Sequence, residues 1–205
     1  MQGVMRASTR RSFVAGPAGR IECAIDSPEA PARGKALIAH PHPQFGGTLD
    51  NKVVQTLARA FVDLGYEAWR PNFRGVGASE GRFDEGRGEV EDLAAVLEFM
   101  KTDSFILAGF SFGAAMQAML ATRLPSARRP ERMVLVGLAV TSFEVPPVPA
   151  GTLLIHGEQD ETVPLAAVLD WARPQELPVV LVPGADHFFH RKLQVLRGIV
   201  AANVR

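Results

Sequence analysis

Cysteine is nearly absent: the 205 residues hold one, Cys23, so no disulfide can close within the chain. It lies in the strand-like run Arg20-Ile21-Glu22-Cys23-Ala24-Ile25, which predicts a buried bystander thiol. A charge of one sign is missing too. Lys plus Arg and Asp plus Glu number 22 each, which leaves no overall field to draw in nucleic acid or an anionic membrane. Long apolar runs are lacking, none approaching the ~18 residues that span a bilayer. The first 13 residues carry arginines but no apolar stretch of the secretory type. These absences predict a cytoplasmic protein with neither nucleic-acid nor membrane partners. Repeats and low-complexity linkers are missing as well. With 47% hydrophobic residues, the chain is expected to form a single domain over residues 1–205, with residues 1–11 flexible.

What is present is alternation. Residues 12–15 and 20–26 read as strands split by Gly16-Pro17-Ala18-Gly19, a hairpin signal. Short apolar runs follow at residues 36–39, 105–108, 133–136, 153–155 and 179–182, as strands covered on both faces require, and Glu67-Ala68-Trp69-Arg70 marks a further strand in the same cycle. Between them, Val53, Val54, Leu57, Phe61 and Leu64 recur at helical spacing up to Gly65. Val90, Leu93, Leu97 and Met100 do the same behind Glu89, Glu91 and Asp92, acids suited to a helix N-terminus. A third helix contains Ala115, Met116, Met119 and Leu120, and a last one runs from Lys192. The expectation is an α/β fold with a mainly parallel sheet of about eight strands and helices on both faces. Only about a dozen residues separate the strand ending near Val140 from the one starting near Leu153, too few for a cap domain. The site is expected to be open.

Three segments carry chemistry. Gly109-Phe110-Ser111-Phe112-Gly113 has the G-x-S-x-G form of a nucleophile elbow and sits between an apolar strand and a helix. Serine is a weak nucleophile until exposed, strained and given a base, and a sharp strand-to-helix turn supplies the first two. The helix behind it aims free N–H groups at the site, and that of Phe112 becomes an oxyanion donor. Asp160 lies beyond the strand at residues 153–155, and His187 beyond the strand at residues 179–182. The order Ser, Asp, His gives a carboxylate to orient an imidazole and an imidazole to take the serine proton. Glu158 and Glu161 compete with Asp160 as loop charges. Asp186 reads as a cap or solvated charge, His190 as surface and His156 as a hydrogen-bonded core residue.

The loop His40-Pro41-His42-Pro43-Gln44-Phe45-Gly46-Gly47 must supply the second oxyanion N–H. Pro41 and Pro43 have none, which leaves His42 or Gln44. His42, two residues past the strand, is the choice. A metal pair of His40 and His42 lacks a third ligand at a convincing spacing, so no metal is expected. Residues 72–81 look like a phosphate loop, but they lack its Lys-Ser/Thr ending and the G-x-G-x-x-G spacing. They read as a tight structural turn. Phe45, Phe110, Phe112, Phe188 and Phe189 cluster near these loops. Phe45, Phe110 and Phe188 are the candidate substrate contacts.

By these segments the chain resembles the α/β-hydrolase superfamily along nearly its whole length. His40-Pro41-His42-Pro43, Gly46-Gly47, Asn51-Lys52 and Asn72-Phe73-Arg74-Gly75-Val76-Gly77 resemble small, capless bacterial hydrolases related to dienelactone hydrolases and prolyl oligopeptidase catalytic domains. The resemblance implies a triad of Ser111, Asp160 and His187, no cofactor, and action on short acyl esters. Two departures stand out. Ser111 replaces the cysteine of dienelactone hydrolases, and His40-Pro41 replaces the commoner His-Gly. The function expected is therefore a serine carboxylesterase acting on a small-molecule ester. A thioesterase, a small peptidase and an idle hydrolase fold used for binding are the alternatives. Apolar residues around an uncapped site leave room for a homodimer.

Overall fold

The structure, a computed structural model, describes residues 8–204. Eight strands form one sheet: β1 (Ser8–Gly16), β2 (Gly19–Ser27), β3 (Gly34–Ala39), β4 (Tyr66–Pro71), β5 (Phe105–Phe110), β6 (Arg132–Val136), β7 (Leu153–Gly157) and β8 (Val179–Val182). The spatial order is β1-β2-β4-β3-β5-β6-β7-β8. β2 runs antiparallel to both β1 and β4, and every pairing from β4 to β8 is parallel. The first hairpin closes at Gly16 opposite Gly19, leaving Pro17 and Ala18 as its two-residue turn.

Among the described residues five α-helices cover the faces: α1 (Lys52–Asp63), α2 (Arg87–Phe99), α3 (Phe112–Arg123), α4 (Leu165–Ala172) and α5 (Leu193–Asn203). Val53, Phe61, Leu196 and Val200 of α1 and α5 share one apolar cluster with Ile38, Ile106 and Val134 of the sheet. Val90, Leu93, Met116, Leu120 and Val168 of α2, α3 and α4 share the other with Leu37, Leu107 and Leu135. Alternate residues of one strand thus go to opposite cores, which is why these strands are apolar at every position.

Two expectations change. Residues 8–11 belong to β1, where Ser8 pairs with Ser27 and Arg11 with Ala24, so the flexible segment does not reach residue 11. The part of it at residues 1–7 lies outside the described residues. Helix α4 is absent from the periodicity because Leu165-Ala166-Ala167-Val168-Leu169-Asp170-Trp171-Ala172 is apolar nearly all round, although only Val168 and Ala172 are fully buried. Between β6 and β7, residues 138–152 contain no helix or strand and no cap. No helix among the described residues is long and apolar enough to cross a membrane.

Parallel strands end at the same edge. The loops after β3, β5, β7 and β8 therefore meet there, bringing residues 40–47, Ser111, Asp160 and His187 together.

Candidate active site

The elbow is built from glycine. A Cβ on Gly109 would lie 2.5 Å from the carbonyl carbon of Gly113, and one on Gly113 would lie 2.3 Å from the Ala39 oxygen. Only with both glycines does the chain leave β5 and enter α3 against β3. The turn forces Ser111 to φ 55° and ψ −117°, a strained conformation for a side-chain-bearing residue. Its N–H donates to the Val136 carbonyl at 2.9 Å, which fixes the turn to β6.

The hydroxyl of Ser111 lies 3.0 Å from His187 Nε2. His187 Nδ1 lies 2.7 Å from Asp160 Oδ2. A carboxylate only accepts, so Nδ1 carries the hydrogen and Nε2 is left free to accept from the serine. The other Asp160 oxygen accepts the N–H groups of Thr162 at 2.9 Å and Val163 at 2.8 Å. Burial alone would raise the Asp160 carboxyl, but the hydrogen bonds from His187 and Val163 hold it below its ordinary value. The imidazole is thus backed by an ionised carboxylate. Gly137, at φ 55°, makes room for the imidazole, since a Cβ there would stand 3.2 Å from His187 Cε1.

Phe110 needs correction. It is fully buried, and its ring lies under the His187 imidazole at 4.9 Å between centroids, so it supports that ring instead of lining the groove. Phe45 and Phe188 do line it, 85% and 45% exposed, together with Pro41, His42, Gly46, Gly47, Asn51 and Thr162 around Ser111 and His187. Of the competing acids, Glu158 accepts the Gly184 N–H at 2.8 Å and ties the two loops together, while Glu161 is exposed. Asp186 accepts the His190 N–H at 3.0 Å and pairs with its ring at 2.6 Å, out on the surface. Cys23 is buried, its thiol pushed up to about 12 chiefly by desolvation.

The loop after β3 is held from beneath. His40 Nδ1 donates to the Pro41 carbonyl at 2.6 Å, and its Nε2 accepts the Phe73 N–H at 3.0 Å. Both ring nitrogens are committed, so His40 has none left to ligate alongside His42. Burial lowers His40 to about 4 from an ordinary value near 6.5. The sign follows from linkage: the unfolded chain binds this proton at a higher pH than the fold does. Stability is therefore full above pH ~6.5 and falls by about 3 kcal/mol as the pH drops toward 4. Urea titrations at pH 7 and pH 4.5 should show that loss, and His40→Gln should flatten it.

His42 sits higher, at the groove. Its ring Nδ1 accepts the Gln44 N–H at 3.2 Å, and its carbonyl accepts from Phe45 and Gly47. The Gln44 amide is thus occupied, whereas the amides of His42 and Phe112 have no acceptor among the described residues. Residue 47 must be glycine because a Cβ would stand 2.0 Å from the Pro41 oxygen. The His42 ring packs among Phe45, Phe83, Phe112 and Phe143, with centroids 4.7 to 6.5 Å away. Phe83 and Phe143 come from irregular loops, where no periodic pattern marks a residue as part of a site.

No family model matches the chain. A lidless α/β serine hydrolase from Xanthomonas campestris, XC6422, is 38% identical, with 100% of this chain and 97% of that one covered at a TM-score of 0.87. An α/β serine hydrolase homologue from Coxiella burnetii is 36% identical, with 99% and 100% covered at 0.84. An uncharacterised Rickettsia prowazekii protein, RP471, is 34% identical over 87% of this chain and 82% of its own length. Sheet order, elbow and relatives agree on the class, a hydrolase of the α/β type. Within it, the chain belongs to the lidless α/β serine hydrolases.

Proposed function

We propose that the protein is a serine carboxylesterase that cleaves short-chain acyl esters through an acyl-enzyme on Ser111. The reading rests on one observation, the unbroken chain from Ser111 Oγ through both nitrogens of His187 to Asp160, beside two backbone N–H groups without acceptors among the described residues. His187 takes the serine proton as Oγ attacks the ester carbonyl, and Asp160 stabilises the imidazolium that forms. The amides of Phe112 and His42 receive the oxyanion, each supplying ~3 kcal/mol of transition-state stabilisation. The imidazolium then protonates the departing alcohol, and water repeats the sequence on the acyl-enzyme.

Size supports a short acyl group. The groove at Ser111 offers about 120 Å³, well below the ~300 Å³ at which pockets for drug-sized ligands begin. A polar cavity of about 320 Å³ adjoins it, sharing Thr162, His187 and Phe188 and adding Gln159, Glu161 and Asp186. It lies on the imidazole side, where the alcohol has to leave.

A p-nitrophenyl series from acetyl through butyryl and octanoyl to palmitoyl tests the reading, with acetyl-thiocholine and an amino-acyl anilide alongside. kcat/KM should peak at acetyl or butyryl and fall at least tenfold by octanoyl, as ~1.4 kcal/mol of lost fit would give. A maximum at palmitoyl, or turnover of the thioester or anilide alone, contradicts it.

A further inference from the structure

A second histidine stands behind Asp160 and has no part in the reaction above. His156 lies at the end of β7 and is fully buried. Its Nε2 is 2.9 Å from the carbonyl oxygen of Val163 and 3.5 Å from Asp160 Oδ2, the oxygen that also receives His187. Both neighbours of Nε2 can only accept, so Nε2 carries the hydrogen and Nδ1 is a bare lone pair. That Nδ1 is buried without a partner. An apolar side chain would fill the position without stranding a polar atom, so the imidazole is a costly way to build this core.

The loop it touches is the one that holds the acid. Val163 donates its N–H to Asp160 Oδ1, while its carbonyl takes the His156 proton. One residue thus ties β7 to the turn that clamps the carboxylate, with its N–H beside the oxygen facing His187. Burial lowers the basicity of His156 against the pull of Asp160, so the ring stays neutral and acts as a fixed dipole. Asp160 and His187 are the titratable groups whose charges reach it.

We infer that His156 is a positioning residue for the acid: its Nε2–H holds the Val163 carbonyl, and through it the turn whose N–H groups keep the Asp160 carboxylate in line with His187. The inference rests on the esterase reading of Ser111, His187 and Asp160. Its requirement is reach. A glutamine can put an amide N–H near the place of Nε2, whereas asparagine reaches only the place of Nδ1.

Three variants test this role: His156→Leu, His156→Asn and His156→Gln, assayed on p-nitrophenyl acetate. Leu and Asn should lower kcat by about tenfold to a hundredfold with KM within about twofold, the cost of a slightly misplaced catalytic group. Gln should restore most of the loss. A folded Leu variant with wild-type kcat overturns the proposal, as does equal impairment of all three, which would mark the site as packing alone. If Leu does not fold, the comparison of Asn with Gln decides between the two roles. The low-field proton NMR signal of the His187 Nδ1–H needs no substrate. It should shift or broaden in Asn and return in Gln, and an unchanged signal in Asn also overturns the proposal. Failure of wild type to cleave any ester would sink the esterase reading and leave this signal to decide the role of His156.

Discussion

Ser111→Ala should lower ester turnover by about 10⁶-fold and leave the fold intact. In a serine triad the nucleophile and base act as a unit, so losing the hydroxyl costs nearly as much as losing the whole set. Stability has little reason to change. Among the described residues the Ser111 hydroxyl bonds only to His187, and the strain at φ 55° weighs on alanine as it does on serine. Ser111→Gly separates the two effects. It should be equally inactive yet more stable, by about 1 kcal/mol, because glycine adopts this backbone without penalty. Thermal melts beside the activity assay check both statements. An active alanine variant would remove Ser111 from the chemistry.

Asp92→Ala should be strongly destabilising although the residue lies outside the reacting groups, at about 3–5 kcal/mol. The Arg74 guanidinium meets Asp92 through two bonds, both 2.8 Å, with Asp92 only 2% exposed. A carboxylate that close raises the arginine's affinity for its proton, and an arginine stays charged even when its partner is gone. A buried, uncompensated cation is what makes such a loss expensive. Space is tight as well: a Cβ at Gly88 would stand 1.8 Å from Arg74 Nη1, so the guanidinium lies flat on α2. For a chain of this length the loss corresponds to a fall of roughly 10 °C in Tm. The double change Arg74→Met with Asp92→Leu should recover much of it, since neither charge then needs a partner. Activity of the single variant should fall too. The Arg74 loop leads on to Phe83, whose ring packs against His42, and its Phe73 amide anchors His40.

That ion pair also shows where sequence reading stops. Asp92 reads as one of three acids at a helix N-terminus, because composition near a helix end is local information. Its arginine lies 18 positions earlier, and only the fold brings the two together. Glu89 does act locally, accepting the N–H groups of Asp84 and Gly86 at the start of α2. The elbow, by contrast, is legible because its G-x-S-x-G pattern is contiguous, although only Gly109 answers to a contact inside it and Gly113 answers to the Ala39 carbonyl of β3. The apolar strands before each loop are open to reading because each is a short-range pattern, and the order Ser, Asp, His because a chain order can be read without knowing any distance. Phe110 misleads because proximity in sequence suggests proximity to substrate. β5 is covered on both faces, so its last side chain goes to the core with α1 and α5, while Phe112, past the turn, goes to the other core. The aromatic collar of Phe83 and Phe143 around His42 depends on where two irregular loops land. Nothing periodic announces it.

Labelling with a fluorophosphonate probe, read by intact mass and peptide mapping on wild type and His187→Ala, tests the activation of Ser111 most directly. One adduct per chain is expected, on Ser111, and its loss in the variant. An adduct on another residue, or none on a folded wild-type protein, would contradict the triad chemistry.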